Sequence, residues 1–261
     1  MTIDPSKNET KITNKSKEVQ TETPDKNAIF KNVPVLWKSI KLNWMFWVTC
    51  LISIFLLTYF NNENKSYVNG YITFIIAMLV GWYIHYLSHA YDLLQIYKNS
   101  DGKIINYLKS NPILNKIVET TIYYTCDFHD KIHHDTNVNR QPLNWTMEFI
   151  QNLLMEGGFL ILFAHWCNFS IKFSNYDFKF NRAVLLLWGL LYATVHNINY
   201  IILGCDQHTK HHIDPKTNYG IDALDILFDT KYDINNIESL NHGTINVIII
   251  TLIIMYFKIY M

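Results

Sequence analysis

Long apolar runs, separated by polar stretches, are the strongest constraint on this chain. Trp44 to Phe60 is almost wholly apolar, and Tyr71 to about Leu87 is a second run. A third covers about Phe149 to Trp166, a fourth Ala183 to Leu203, and a last one Ile245 to Tyr260. A lipid interior satisfies no backbone polar group, so runs of this length predict helices that close their own hydrogen bonds. Composition agrees: charged residues are 17% of the chain, against about 25% in a typical soluble protein. The expected fold is all-α, an integral membrane helical bundle of about four spans, with a fifth if the last run crosses.

The rest of the chain divides around these runs. Residues 1–30 are rich in Lys, Glu, Asn, Ser and Thr. Such a segment buries too little to offset its ordering entropy, so it is read as a disordered polar tail. Met1 to Gln20 has no apolar stretch of the signal-peptide kind, and insertion is expected to start from an internal span. Residues 31–261 are expected to form one membrane-embedded domain. Tyr91 to Arg140 is mixed and punctuated by lysines, with Ile113, Ile117, Thr121 and Tyr124 at helical spacing, as in a helix lying on a membrane. Cys50, Cys126, Cys167 and Cys205 show no paired spacing and are read as free thiols. A net charge of zero gives no reason to expect a nucleic-acid partner.

Charge also predicts orientation. The lysine-rich segment before Trp44 should face the cytosol. Two crossings then return the chain near His85, and two more near His208, which puts every histidine group on the cytosolic face. Lys172, Lys179 and Arg182 run against this scheme, because they fall in a lumenal loop.

Eleven histidines are present, and most are grouped. The groups are His85-Tyr-Leu-Ser-His89, His129-Asp-Lys-Ile-His133-His134, and His208-Thr-Lys-His211-His212, with His196 twelve residues before the last. On a helix, residues four apart differ by about 40° and residues three apart by about 60°. His85 and His89 should therefore share a face, as should His129 with His133, and His208 with His211 and His212. Adjacent histidines diverge by about 100° and can reach different ions. Neutral imidazole suits Fe, Zn, Cu and Ni, and nine ligands suit two ions with roughly four or five each. The metal ligands expected are His85, His89, His129, His133, His134, His196, His208, His211 and His212. His165 and His242 stand apart and are read as structural.

The order HxxxH, HxxxHH, an isolated His and then HxxHH resembles the membrane-bound fatty acid hydroxylase and sterol desaturase superfamily. The third block carries most of the likeness, with Asn218-Tyr219-Gly220, Asp225, Phe228 and Thr230 after it. The likeness runs from about residue 75 to 232; the second block has one residue more than the common HxxHH. The resemblance implies a cytosolic histidine-rich helical cap, two iron ions, O2 activation and a lipid substrate, either an acyl chain or a sterol. It also implies cytochrome b5 and its reductase as electron donors and a place in the endoplasmic reticulum. No b5 domain is expected in so short a tail. Outer-shell partners of the ligands are sought among Asp92, Asp127, Asp130, Asp206, Asn218 and Asp225, with Asn218 and Asp225 preferred. Two rivals are a metal transporter or other non-catalytic metal-binding protein, and a zinc hydrolase. The hydrolase lacks its usual sign, because no histidine pair encloses a glutamate as in HExxH.

Overall fold

The computed structural model describes residues 31–60, 66–124, 129, 133, 134, 142–158, 160, 161, 170–173 and 176–260. The expected polar tail, His165, Cys126, Cys167, Asp127 and Asp130 lie outside the described residues. Cys50 and Cys205 are free thiols, as expected.

The protein is mostly helical. In chain order the main helices are α1 (Val33–Leu42), α2 (Trp44–Tyr59), α3 (Tyr67–Ala90), α4 (Leu93–Asn99), α5 (Lys103–Ser110), α6 (Pro112–Ile122) and α7 (Pro142–Leu153). After a two-stranded antiparallel hairpin, β1 (Ser170–Phe173) and β2 (Tyr176–Lys179), come α8 (Arg182–Thr194), α9 (Tyr200–Leu203), α10 (Asp206–Ile213), α11 (Asp222–Leu227) and α12 (Thr244–Tyr260).

Among the described residues, Tyr67–Ala90, Arg182–Leu203 and Leu240–Phe257 are long and apolar enough to cross a membrane. The last of these gives the C-terminal run the length and apolarity of a span. Helix α2 alone has 16 residues. It reaches spanning length only together with α1, from which it bends by 76°. The run from Phe149 to Trp166 is not one straight helix in its described part. It continues α7 into a π-helical turn at Leu154–Gly158. Trp145 on α7 donates to the Asn197 carbonyl at 3.2 Å, at one end of the bundle, and Tyr176 of the hairpin bonds Asn69 at the other.

The core lies between these helices. Cys50, Ile54 and Leu57 of α2 pack with Phe74 and Ala77 of α3, Leu187 and Leu191 of α8, and Val247, Ile250 and Ile254 of α12. The opposite faces carry exposed Leu51, Ile52, Ile248, Ile249 and Leu252. Helices apolar all round suit a lipid surround. In lipid the apolar effect does not drive helix association; close packing and interhelical hydrogen bonds do. Both occur at the end away from the histidines. Gly70 sits against Thr58, where a Cβ would lie 2.4 Å from Thr58 Oγ1. Asn181 is fully buried and caps α8, its Oδ1 accepting from the Ala183 and Val184 amides at 3.1 and 3.3 Å. Its Nδ2 donates to Thr58 Oγ1, and its amide to Thr73 Oγ1. Asn181→Ala removes a helix cap and one interhelical bond, so thermal unfolding in detergent should report a loss of about 2 kcal/mol. An unchanged melting temperature would deny Asn181 this role.

The other end gathers α1, the start of α2, the last turns of α3 and α9, α10, α11 and the start of α12. Ser39 of α1 donates to Asp222 Oδ2 at 2.8 Å. Asn43 holds the Glu238 carbonyl and the Leu240 amide at 2.9 and 2.7 Å. This is the end on which the histidines converge.

Candidate metal centre

His85 and His89 lie one turn apart in the last turns of α3. His208, His211 and His212 occupy α10, whose first turn is capped by Cys205 Sγ, 3.4 Å from the His208 amide. His196 lies in a π-helical turn, Val195–Asn199, within the Arg182–Leu203 span. His129, His133 and His134 close the site from the connecting segment.

The nine side chains form two buried groups. One contains His85, His89, His129, His134 and His211, and the other His133, His196 and His208; within each group one nitrogen per ring lies within 4.8 Å of all the others. His212 joins the second group, its Nε2 lying 3.1 Å from His133 Nε2 and 3.0 Å from His208 Nε2. In the first group His85 Nε2 is 3.1 Å from His211 Nε2, and His129 Nε2 is 3.3 Å from His134 Nε2. The groups touch, with the His134 and His212 rings 4.5 Å apart.

Adjacent histidines part company as the helical angles require. His133 and His134 enter different groups, and so do His211 and His212. Sharing a helix face is not sharing a group. His129 falls with His134, five residues on, and not with His133. His211 turns to the first group while His208 and His212 serve the second. The pairing of His129 with His134 has a local cause. The His134 amide donates to the His129 carbonyl at 3.3 Å, a bond five residues long and of π type. Such a turn absorbs one extra residue. The outer two histidines of HxxxHH thereby share a group and the middle one crosses over, just as in the shorter HxxHH of α10.

These distances fit a metal better than they fit hydrogen bonds. An imidazole nitrogen offers one proton or one lone pair. His212 Nε2 faces two other Nε2 atoms and cannot make a full hydrogen bond to both. Two nitrogens bound at about 2.1 Å to one ion, roughly 90° apart, lie about 3.0 Å from each other.

The outward nitrogens support the same assignment. His211 Nδ1 lies 2.6 Å from the Thr217 carbonyl. His196 Nδ1 is 3.1 Å from Asn197 Oδ1, which also accepts from Asn152 Nδ2 at 2.8 Å. His85 Nδ1 is 3.4 Å from the Tyr192 hydroxyl, and His133 Nδ1 is 3.8 Å from Glu148 Oε2. Ligating imidazoles use such partners to fix the ring and its tautomer. Burial, with neighbouring imidazoles second, holds His129, His133, His134 and His208 well below the usual histidine range, and His211 down at about 3. All stay neutral at physiological pH, which is the form that ligates.

Among the described residues Asn218 and Asp225 share no hydrogen bond with a histidine; their bonds build the loop that presents Thr217. Asn218 takes a positive φ of 53°. Its side chain donates to the Gln207 carbonyl and accepts from the Tyr232 amide, both at 3.0 Å. Asp225, 1% exposed, accepts from Trp82 Nε1, Thr230 Oγ1 and the amides of Tyr219 and Gly220. Burial raises its carboxyl above the usual range, and these donors oppose the shift. Asp92 instead caps α4, and Asp206 is bonded to Asn236. His242 stands apart from both groups, beside Asn199.

Sequence reasoning missed Glu148, Asn197, Tyr192 and the Thr217 carbonyl. Glu148 had a readable signal, because Glu148 and Glu156 are the only charged residues from 141 to 166. Ionisable groups in such surroundings mark function by default.

A partly open cavity adjoins both groups. Phe46, Trp188, Leu191, Val195 and Leu240 line one part of it and Asp222, Asp225, Lys231 and Glu238 another, and it reaches His85, His196, His208 and His211. The chain matches no protein-family model, no curated protein and no solved structure.

Proposed function

We propose that this chain is a membrane di-iron oxygenase that hydroxylates or desaturates a lipid, drawing electrons from a b5-type donor. The observation that carries the reading is the double imidazole cage: nine histidines, five of them buried, in two touching groups, with Nε2 atoms meeting inside and the Nδ1 atoms of His85, His196 and His211 turned to outer partners. Two irons held there supply the redox chemistry with O2 that an unactivated C–H bond requires and no side chain can provide.

The residues have separable tasks. The inward nitrogens of His85, His89, His129, His134 and His211 hold one ion, and those of His133, His196, His208 and His212 the other. Thr217, Asn197 and Tyr192 keep the rings oriented. Phe46, Trp188, Leu191, Val195 and Leu240 give part of the adjoining cavity an apolar wall. An apolar wall of this kind suits an alkyl chain or a sterol ring. The lysine-rich segment before Trp44 supports a cytosolic histidine end, and the family resemblance suggests the endoplasmic reticulum as the membrane.

The arrangement disfavours the rivals. Among the described residues neither group contains a carboxylate, whereas a zinc hydrolase of the HExxH kind sets a glutamate against its metal as base. Transport sites sit near the bilayer midplane, and these groups lie at one end of the bundle.

Cells expressing the protein should differ in lipid profile from cells expressing the His211→Ala, His212→Ala variant, given oxygen and a b5 donor. Purified protein should carry about two ions per chain. An active metal-free protein, or identical lipid profiles, would overturn the reading.

A further inference from the structure

Glu156 belongs to neither metal group, yet it is buried close to them. It lies in the π-helical turn after α7 and is 3% exposed. Trp188 Nε1 donates to its Oε2 at 3.3 Å. The residue facing it on α3 is Gly81, where a Cβ would stand 1.8 Å from that same oxygen. A side chain at position 81 would push the carboxyl out of this place. Packing alone gives no reason for an ionisable group here, since an apolar side chain would fill the space at lower cost.

Glu156 lines a small cavity with Ser88, Asn152 and Tyr192, closed on one side by His85 and His129 of the first metal group. The free volume, about 20 Å³, exceeds the roughly 10–15 Å³ that one water needs. His85 and Tyr192 line this polar cavity and the larger one described above alike. His85 of the first metal group thus stands between two cavities, and Glu156 lines the smaller of them.

We propose that Glu156 delivers protons to the oxygen reduced at the first metal group; this rests on the oxygenase reading above. In a hydroxylation, RH, O2, two electrons and two protons give ROH and H2O. The electrons come from a one-electron donor acting twice. One oxygen atom enters the C–H bond, and the other leaves as water carrying both protons. For each proton the Glu156 O–H bond breaks, the proton passes through the polar cavity to the departing oxygen, and the carboxylate is reprotonated from solvent.

The test is Glu156→Gln, which keeps the shape and an oxygen for Trp188 but has no proton to give. Metal content should match the wild type. Oxidised lipid per electron pair consumed should fall by about 10²-fold, the low end of what a positioned acid contributes. Peroxide release should rise, and the solvent isotope effect on turnover should grow. If Glu156→Gln fails to accumulate, Glu156→Asp keeps the acid but draws it back, and the same ratio should fall by a smaller factor. Full coupling in the variant, or loss of metal from it, overturns the proposal. A metal-loaded wild type that oxidises no lipid overturns the oxygenase reading instead, and the inference falls with it.

Discussion

Substituting adjacent histidines should remove different metal ions. His212→Ala and His133→Ala each take a ligand from the second group, which has four. His211→Ala and His134→Ala each take one from the first, which has five. A group reduced to three imidazoles holds its ion less firmly than one reduced to four. Metal content should therefore fall towards one ion per chain in His212→Ala and His133→Ala. It should stay closer to two in His211→Ala and His134→Ala, with the affinity of one ion lowered by at least the 10–100-fold seen when an outer partner is lost. The double variant His211→Ala, His212→Ala wounds both groups and should lose the most. Elemental analysis with stepwise chelation distinguishes the ions. If His211→Ala and His212→Ala release the same ion with the same profile, the crossed assignment is wrong.

This crossing marks the limit of what spacing could reveal. The runs at Trp44, Tyr71, Ala183 and Ile245 became helices because nothing but a helix satisfies their backbone in lipid. The partition of His133 from His134, and of His211 from His212, follows from the helical angle alone. The alliance of His129 with His134 does not. It depends on a π-type bond, and whether a backbone makes its bond over four residues or five is decided by tertiary packing around it. The outer partners were hidden for other reasons. The Thr217 group is a backbone carbonyl, which no residue type announces. Tyr192 and Asn197 sit in an apolar span, where they read as ordinary members of a helix. Glu148 and Glu156 were visible as isolated charges and needed only the question of why a charge stands there. The hairpin at Ser170–Phe173 and Tyr176–Lys179 was too short to stand out by alternation.

Asp225 should prove the most sensitive position outside the ligands. Its carboxylate ties together three stretches of chain: Trp82 on α3, the Tyr219 and Gly220 amides, and Thr230. The Thr230 amide also returns to the Asp225 carbonyl at 2.9 Å. Asp225→Ala leaves four donors facing a dry gap. Each buried unsatisfied donor costs about 1–3 kcal/mol, and partial relaxation brings the expected loss to about 3–5 kcal/mol. The effect should reach the metal without any contact between Asp225 and a ligand. The Tyr219 and Gly220 amides fix the loop whose Thr217 carbonyl holds His211 Nδ1, so a released loop frees the His211 ring. The ion of the first group should then bind 10–100-fold more weakly, while the second group, which has no partner in this loop, keeps its affinity. Asp225→Asn retains one acceptor oxygen and should lose less on both counts. Melting in detergent reads the first effect and metal titration the second. Equal weakening of both ions would mean that Asp225 supports the bundle as a whole, and a wild-type melting temperature would mean that the four bonds carry no net stability.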